Sequence, residues 1–138
     1  AEMEAKITLA ELDSGRYQLR LMADRVRGDL NHGGHLPRIA PDRFGAGLDW
    51  SRGAWRAGVS ALRHRSQDRV ADQETPTSGY TVFDADLAYS FAWNEREIEL
   101  FVQGRNLGDE EIRVHTSFVK DLAPQPGRSM AAGIRAWF

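Results

Sequence analysis

The groups in this chain with useful chemistry are four histidines and a set of carboxylates, and the chain has no cysteine. The densest cluster is His32-Gly33-Gly34-His35, with Asp29 and Asn31 just before it. Imidazole nitrogens and a carboxylate suit Zn²⁺ and similar borderline metals, and the two glycines would let both rings converge. His32, His35 and Asp29 are therefore a candidate metal set. Tetrahedral zinc wants more ligands than two histidines, so further partners would have to come from outside this stretch. The plainer reading is an exposed polar loop that contains histidines. His115 is open to two readings, a residue that holds its own loop or one that meets a ligand, and Asp121 follows in the same stretch. His64, between Arg63 and Arg65, reads as a solvated residue at the outer end of a strand. Asp84, Asp86, Glu99 and Arg105 form a candidate network that neutralises charge across adjacent strands. No G-x-S-x-G, phosphate loop or His-Glu-x-x-His occurs, so an enzyme has no residues to rest on.

Composition narrows the classes that could carry these groups. The 138 residues are 41% hydrophobic and 28% charged, with a net charge of -2. No stretch approaches the ~20 apolar residues of a membrane helix. Strands that cross a membrane hide their apolar residues in alternation, so a barrel stays open. The near-neutral balance argues against nucleic acid as a partner, which would need a basic patch. Ala1-Glu2-Met3-Glu4-Ala5-Lys6 lacks the charged and apolar regions of a signal peptide, and the chain opens in mid-strand. The expectation is a fragment of something longer.

Period-two alternation positions everything else. It predicts strands over Glu2 to Leu12, Tyr17 to about Arg27, Arg43 to Trp50, Trp55 to about Arg65, Thr81 to Phe91, Ile98 to Leu107 and Ser129 to Phe138. Each sets apolar residues on one face against a mixed, charged face. Phe83, Ala85, Leu87, Tyr89 and Phe91 against Asp84, Asp86, Ala88 and Ser90 is the cleanest case. At about ten residues these strands have the length that spans a tilted bilayer crossing, and are longer than most soluble strands. Turns near positions 14, 52 and 95 are short, whereas Gly28–Pro41, Ser66–Gly79 and Gly108–Arg128 are long. In a meander this puts every short connection at one end and every long one at the other, as in outer-membrane barrels. Trp50, Trp55, Tyr89, Phe91, Trp93, Trp137 and Phe138 gather near the short-turn end, as an interfacial aromatic girdle would. The predicted fold is all-β, an antiparallel meander of about seven long amphipathic strands.

Three motifs then carry a family resemblance. Asn106-Leu107-Gly108-Asp109-Glu110 resembles the penultimate-strand "NL-x-D" of TonB-dependent outer-membrane receptors. Pro126-Gly127-Arg128 before a last strand ending in Phe138 resembles that family's closing "P-G-R … F". Thr77-Ser78-Gly79-Tyr80-Thr81-Val82-Phe83-Asp84 resembles its "T-x-G-Y-x-x-x-D". His115-Thr116-Ser117-Phe118-Val119-Lys120-Asp121 is similar to an "H-x-S-F-x-x-D" segment of a subgroup that includes zinc-uptake receptors. The resemblance implies that residues 1–138 are the C-terminal part of a 22-stranded transmembrane barrel, with the plug domain, TonB box and earlier strands lying outside it. It further implies active uptake of a scarce nutrient, a metal ion or metal chelate, across the Gram-negative outer membrane. The implied partners are outer-membrane lipid, the TonB energy-coupling protein through the missing N-terminal region, and the barrel-assembly machinery through Phe138, with Trp137 beside it. His115 and Asp121 would lie in an extracellular loop. No resident cofactor is implied, since zinc or a chelate would be cargo. Two rivals stand beside this: a small soluble all-β ligand-binding protein, and a smaller closed barrel with a structural role. Charges on the inner faces oppose the first and the odd strand count opposes the second. Alone, such a sheet is expected to be poorly soluble without detergent.

Overall fold

The computed structural model describes residues 1–137, so the role expected for Phe138 in closing a barrel lies outside the described residues. Seven strands form in chain order: β1 (Glu2–Leu12), β2 (Gly15–Asp24), β3 (Arg43–Arg52), β4 (Trp55–His64), β5 (Tyr80–Trp93), β6 (Arg96–Arg105) and β7 (Ser129–Trp137). Each pairs antiparallel with the next, giving one sheet of order β1-β2-β3-β4-β5-β6-β7. No helix occurs among the described residues.

Alternation fixes the register because a slip of one residue would exchange the two faces. One row of partners crosses the whole sheet: Ile7, Leu19, Leu48, Val59, Ala85, Gly104 and Met130. The next row toward the short turns runs Tyr17, Trp50, Ala57, Leu87, Val102 and Ala132. Both rows are apolar throughout. A single irregularity, between Thr8 and Ala10, makes Leu9 an extra residue in β1. Such a bulge bends and twists a strand locally.

The connections differ from the expected boundaries by one to three residues, and the turns explain the shift. At the β5–β6 hairpin Asn94 and Glu95 both take positive φ, 50° and 65°. Two successive left-handed residues match the right-handed twist of the flanking strands, so pairing continues to Trp93 and Arg96. β2 stops at Asp24 rather than near Arg27, because the chain then enters the first long loop.

This sheet has almost no interior. Among the described residues Tyr80 and Pro41 are the buried apolar side chains. Met3, Met130 and Ile134 are 59%, 73% and 71% exposed on the apolar face. The best-buried groups are instead polar: Gln67, Thr77, Glu99, Asn106, His115 and Lys120. A contiguous bare apolar face of this extent needs an apolar environment to cover it.

Candidate functional site

Two regions concentrate polar groups: the charged face of the sheet, and the end where the long loops 25–42, 65–79 and 106–128 meet. On the charged face, ion pairs cross from strand to strand. Arg20 grips Asp49 with Nε to Oδ2 at 2.5 Å and Nη2 to Oδ1 at 2.9 Å. Arg43 is forked onto Asp24, with Nη2 at 2.5 Å from Oδ2. Glu99 is 1% exposed and clamped by two cations, Arg56 from β4 and Arg135 from β7, the latter at 2.7 Å. Arg135 also lies over the Phe101 ring, 4.2 Å from its centroid. Of the four residues expected to form one network, Arg105 and Asp84 do meet, at 3.1 Å. Glu99 turns to Arg56 and Arg135, which register alone brings to it. Asp86 stands across Gly58 from Asp49, and a Cβ at Gly58 would lie 2.9 Å from its Oδ1. Glycine there makes room for two carboxylates.

The three sequence motifs converge on one joint at the loop end. The Asp84 carboxylate accepts from the Asn106 amide at 3.0 Å. Asn106, 4% exposed and left-handed at φ 49°, ties its loop by donating to the Glu110 carbonyl and accepting from the Glu110 amide. Asp109 in turn accepts the Arg128 amide at 2.8 Å. Gly127 lets that carboxylate approach, since a Cβ would sit 2.7 Å from its Oδ1. Sequence spacing shows the motifs one by one. Their contact is a product of the fold.

A buried polar knot then locks the three loops together. Glu74 takes amide hydrogen bonds from Arg38 of the first loop at 2.9 Å and from Ala71 at 3.0 Å. From the third loop, His115 Nε2 lies 3.2 Å and Lys120 Nζ 3.6 Å from its Oε1. His115 Nδ1 faces the Thr77 hydroxyl at 3.0 Å and Lys120 Nζ at 3.4 Å, while Lys120 donates to the Thr75 carbonyl at 2.6 Å. With Lys120 donating to Nδ1, the ring proton sits on Nε2, which is close to Glu74 but outside hydrogen-bond alignment with it. Thr75 donates to Asp121, and Gln67 donates to the Ile39 carbonyl at 2.9 Å. Burial and the neighbouring Lys120 charge push His115 below its usual pKa, against the pull of Glu74. Burial alone would raise Glu74, but the Ala71 and Arg38 amides, with His115 and the Lys120 charge beside it, outweigh it and hold the carboxylate low. Of the two readings of His115, the geometry is that of a loop-holding residue.

His35 Nδ1 meets Asp29 Oδ1 at 2.7 Å, and Arg69 reaches the same oxygen at 2.7 Å. The hydrogen bond from His35 leads in holding Asp29 below its ordinary pKa. Gly33 and Gly34, at φ 92° and 90°, form the turn between the two histidines. His32 is exposed and outside this pairing. No group of three or more metal-ligating side chains is gathered among the described residues. His64 is half-buried rather than a solvated rim residue, because its ring stacks on Tyr80 with centroids 4.4 Å apart.

At the short-turn end three of the expected aromatics, Trp55, Tyr89 and Phe91, meet on the apolar face. Trp137 instead falls on the charged face opposite Glu97, and Phe138 lies outside the described residues. Trp55 and Tyr89 approach to 4.6 Å and Tyr89 and Phe91 to 5.9 Å, while Trp50 donates to the Ser14 carbonyl at 2.9 Å. An apolar outer face, a charged inner face and loops gathered at one end define a segment of transmembrane β-barrel wall. Residues 2–107 match the family model "TonB dependent receptor-like, beta-barrel", and the chain belongs to that family. Among solved structures it is similar in fold to "Copper transporter OprC", with a TM-score of 0.79 at 21% identity. That match covers 99% of this chain and 23% of the transporter, so the chain spans about a quarter of its length. No curated protein sequence matches the chain.

Proposed function

We propose that this chain is part of the wall of an outer-membrane receptor that imports a scarce nutrient, with energy relayed by TonB. One observation carries the reading: the family match falls on a sheet whose apolar face is bare while its charged face is tied by interstrand ion pairs. Lipid is the natural cover for the first face and water in a wide lumen for the second. The complete barrel has 22 strands, and the plug and TonB-contacting segment belong to the remainder of the protein. The cargo class is a metal ion or metal chelate. The name of the copper transporter and the imidazole-carboxylate pair of His35 and Asp29 support that class, with His32 one short turn away. Phe138 and Trp137 serve barrel closure and delivery to the assembly machinery. The reading as a small soluble binder would require the apolar face to enclose a ligand, and that face is open.

An antibody against residues 108–128 tests this on fractionated Gram-negative cells. The expected result is an outer-membrane band several times larger than this chain, whose mobility changes on boiling. A deletion strain should then grow poorly when metal is chelated and recover with excess metal. A soluble band of this chain's own size would end the receptor reading, and normal growth and uptake of every metal tried would end the cargo assignment.

A further inference from the structure

The apolar face changes character at its long-loop end. Its rows there read Ala23, Phe44, Arg63, Thr81 and, one step further out, Arg25, Asp42, Arg65. The outer row follows from continued pairing: the Arg65 amide donates to the Asp42 carbonyl at 3.0 Å, and Arg25 Nε lies 3.8 Å from Asp42 Oδ2. Asp42 is already engaged by Arg27 at 2.9 Å. Arg63 donates to the Thr81 hydroxyl at 3.2 Å, and no carboxylate within ion-pair distance serves Arg63 or Arg65 among the described residues. A shallow groove runs here, with Met3, Ala23 and Phe44 beside Arg25 and Arg65; Glu2 and the mutually paired Asp24 and Arg43 also line it. Phe44 is 52% exposed in it. At the opposite end of the same face Arg52 stands across the ladder from Trp55.

The geometry points to a binding site for a phosphate-bearing lipid headgroup, held by Arg25, Arg63 and Arg65, with an acyl chain along Met3, Ala23 and Phe44. The inference rests on the barrel reading above. In the rows of the apolar face itself, three arginines against one preoccupied aspartate leave net positive charge where the apolar band gives way to water. Asp24 is neutralised by Arg43 in the alternate row, which also holds Glu2. Guanidinium forks match phosphate oxygens, and cations at that level attract anionic headgroups. The continuity of the groove with the bare face selects a lipid over a free ion. A dissolved phosphate would gain nothing from Phe44 and Met3.

The test uses the intact barrel protein that carries this chain, extracted in mild detergent and titrated with phosphatidic acid under native mass spectrometry. Wild type should retain phosphatidic acid and ignore dioleoylglycerol, its phosphate-free counterpart. The R25S/R63S/R65S variant should lose roughly a hundredfold in apparent affinity. R52S, at the other end of the face, should bind as wild type does. Excess inorganic phosphate should leave the lipid in place. Mobility change on boiling reports that each variant is folded, and if the triple variant fails that check, R63S/R65S decides in the same way. Equal binding by wild type and variant would overturn the proposal. So would full displacement by phosphate, which would mean an adventitious ion only. Recovery of the protein without detergent, before any lipid is added, would remove the barrel reading itself.

Discussion

The two ends of the sheet are stabilised by opposite means. At the short-turn end the contacts are two-residue turns, aromatic rings two residues apart or on paired strands, and one indole bond to Ser14, all made by exposed or half-buried groups. At the long-loop end the contacts tie separate loops to one another, as with Arg38 to Glu74 and Thr75 to Asp121. The groups that make them are ionised or polar and buried. A buried polar knot has steep consequences, because each member left unpaired carries its full desolvation cost. The short-turn end can lose a contact and keep its shape, whereas the loop end holds or fails as a unit.

Replacing Glu74 should be the largest blow to that contrast. Glu74→Ala strips partners from two amides and leaves Lys120 and His115 without their carboxylate, costing about 3 kcal/mol at the loop junction. Hydrogen exchange of loops 65–79 and 106–128 in the intact protein should rise, with the β5–β6 hairpin unaffected. Equal protection in both loops would show that the knot is not what holds them. Glu99→Ala comes next, at about 1–2 kcal/mol, because Arg56 and Arg135 are 60% and 49% exposed and water compensates part of the loss. The boiling-induced mobility transition should move to lower temperature. An unchanged transition would mean that strands β4 to β7 do not depend on the clamp.

Acid should loosen the loop end selectively. His115 has a folded pKa below its unfolded one, so the unfolded loops bind more protons and stability rises with pH. The junction is therefore strongest above the ordinary histidine range near 6.5 and weakens as pH falls through it. Protease nicking between residues 106 and 128 should increase from neutral to mildly acidic pH, and His115→Gln should flatten that dependence. The smallest effect belongs to the turn. Asn94→Ala puts an alanine at φ 50° and should cost under about 1 kcal/mol, confined to exchange at the β5–β6 hairpin. A loss that spread to the loops would erase the distinction between the ends.

What was legible in the sequence follows the same division. The faces, the pairing order and the sorting of connections depend on period two and on turn residues within a few positions, so all seven strands could be placed. The clamp on Glu99 depends on which residues stand opposite across two different ladders, and its partners lie 43 and 36 residues away. Nothing near Glu99 points to them. His115 was ambiguous because its local sequence is the same whether it faces Glu74 or a ligand. Its burial beside Lys120 comes from loop packing, which leaves no periodic trace. His64 does end its strand, but a histidine between two arginines looks solvated until Tyr80 is seen across the ladder.

The chain-order pairing also sets a schedule for assembly. Because every neighbour in the sheet is a neighbour in sequence, β1–β2, β3–β4 and β5–β6 can each zip from a two-residue turn, the fast route for antiparallel pairs. Strand β7 has no such turn. It must find β6 across residues 106–128, at the entropic cost of closing a much longer loop. The Asn106 staple and the Asp109–Arg128 catch shorten that search by drawing the end of β6 toward the start of β7. Chains arrested before the catch forms would carry three finished hairpins and a seventh strand still unpaired.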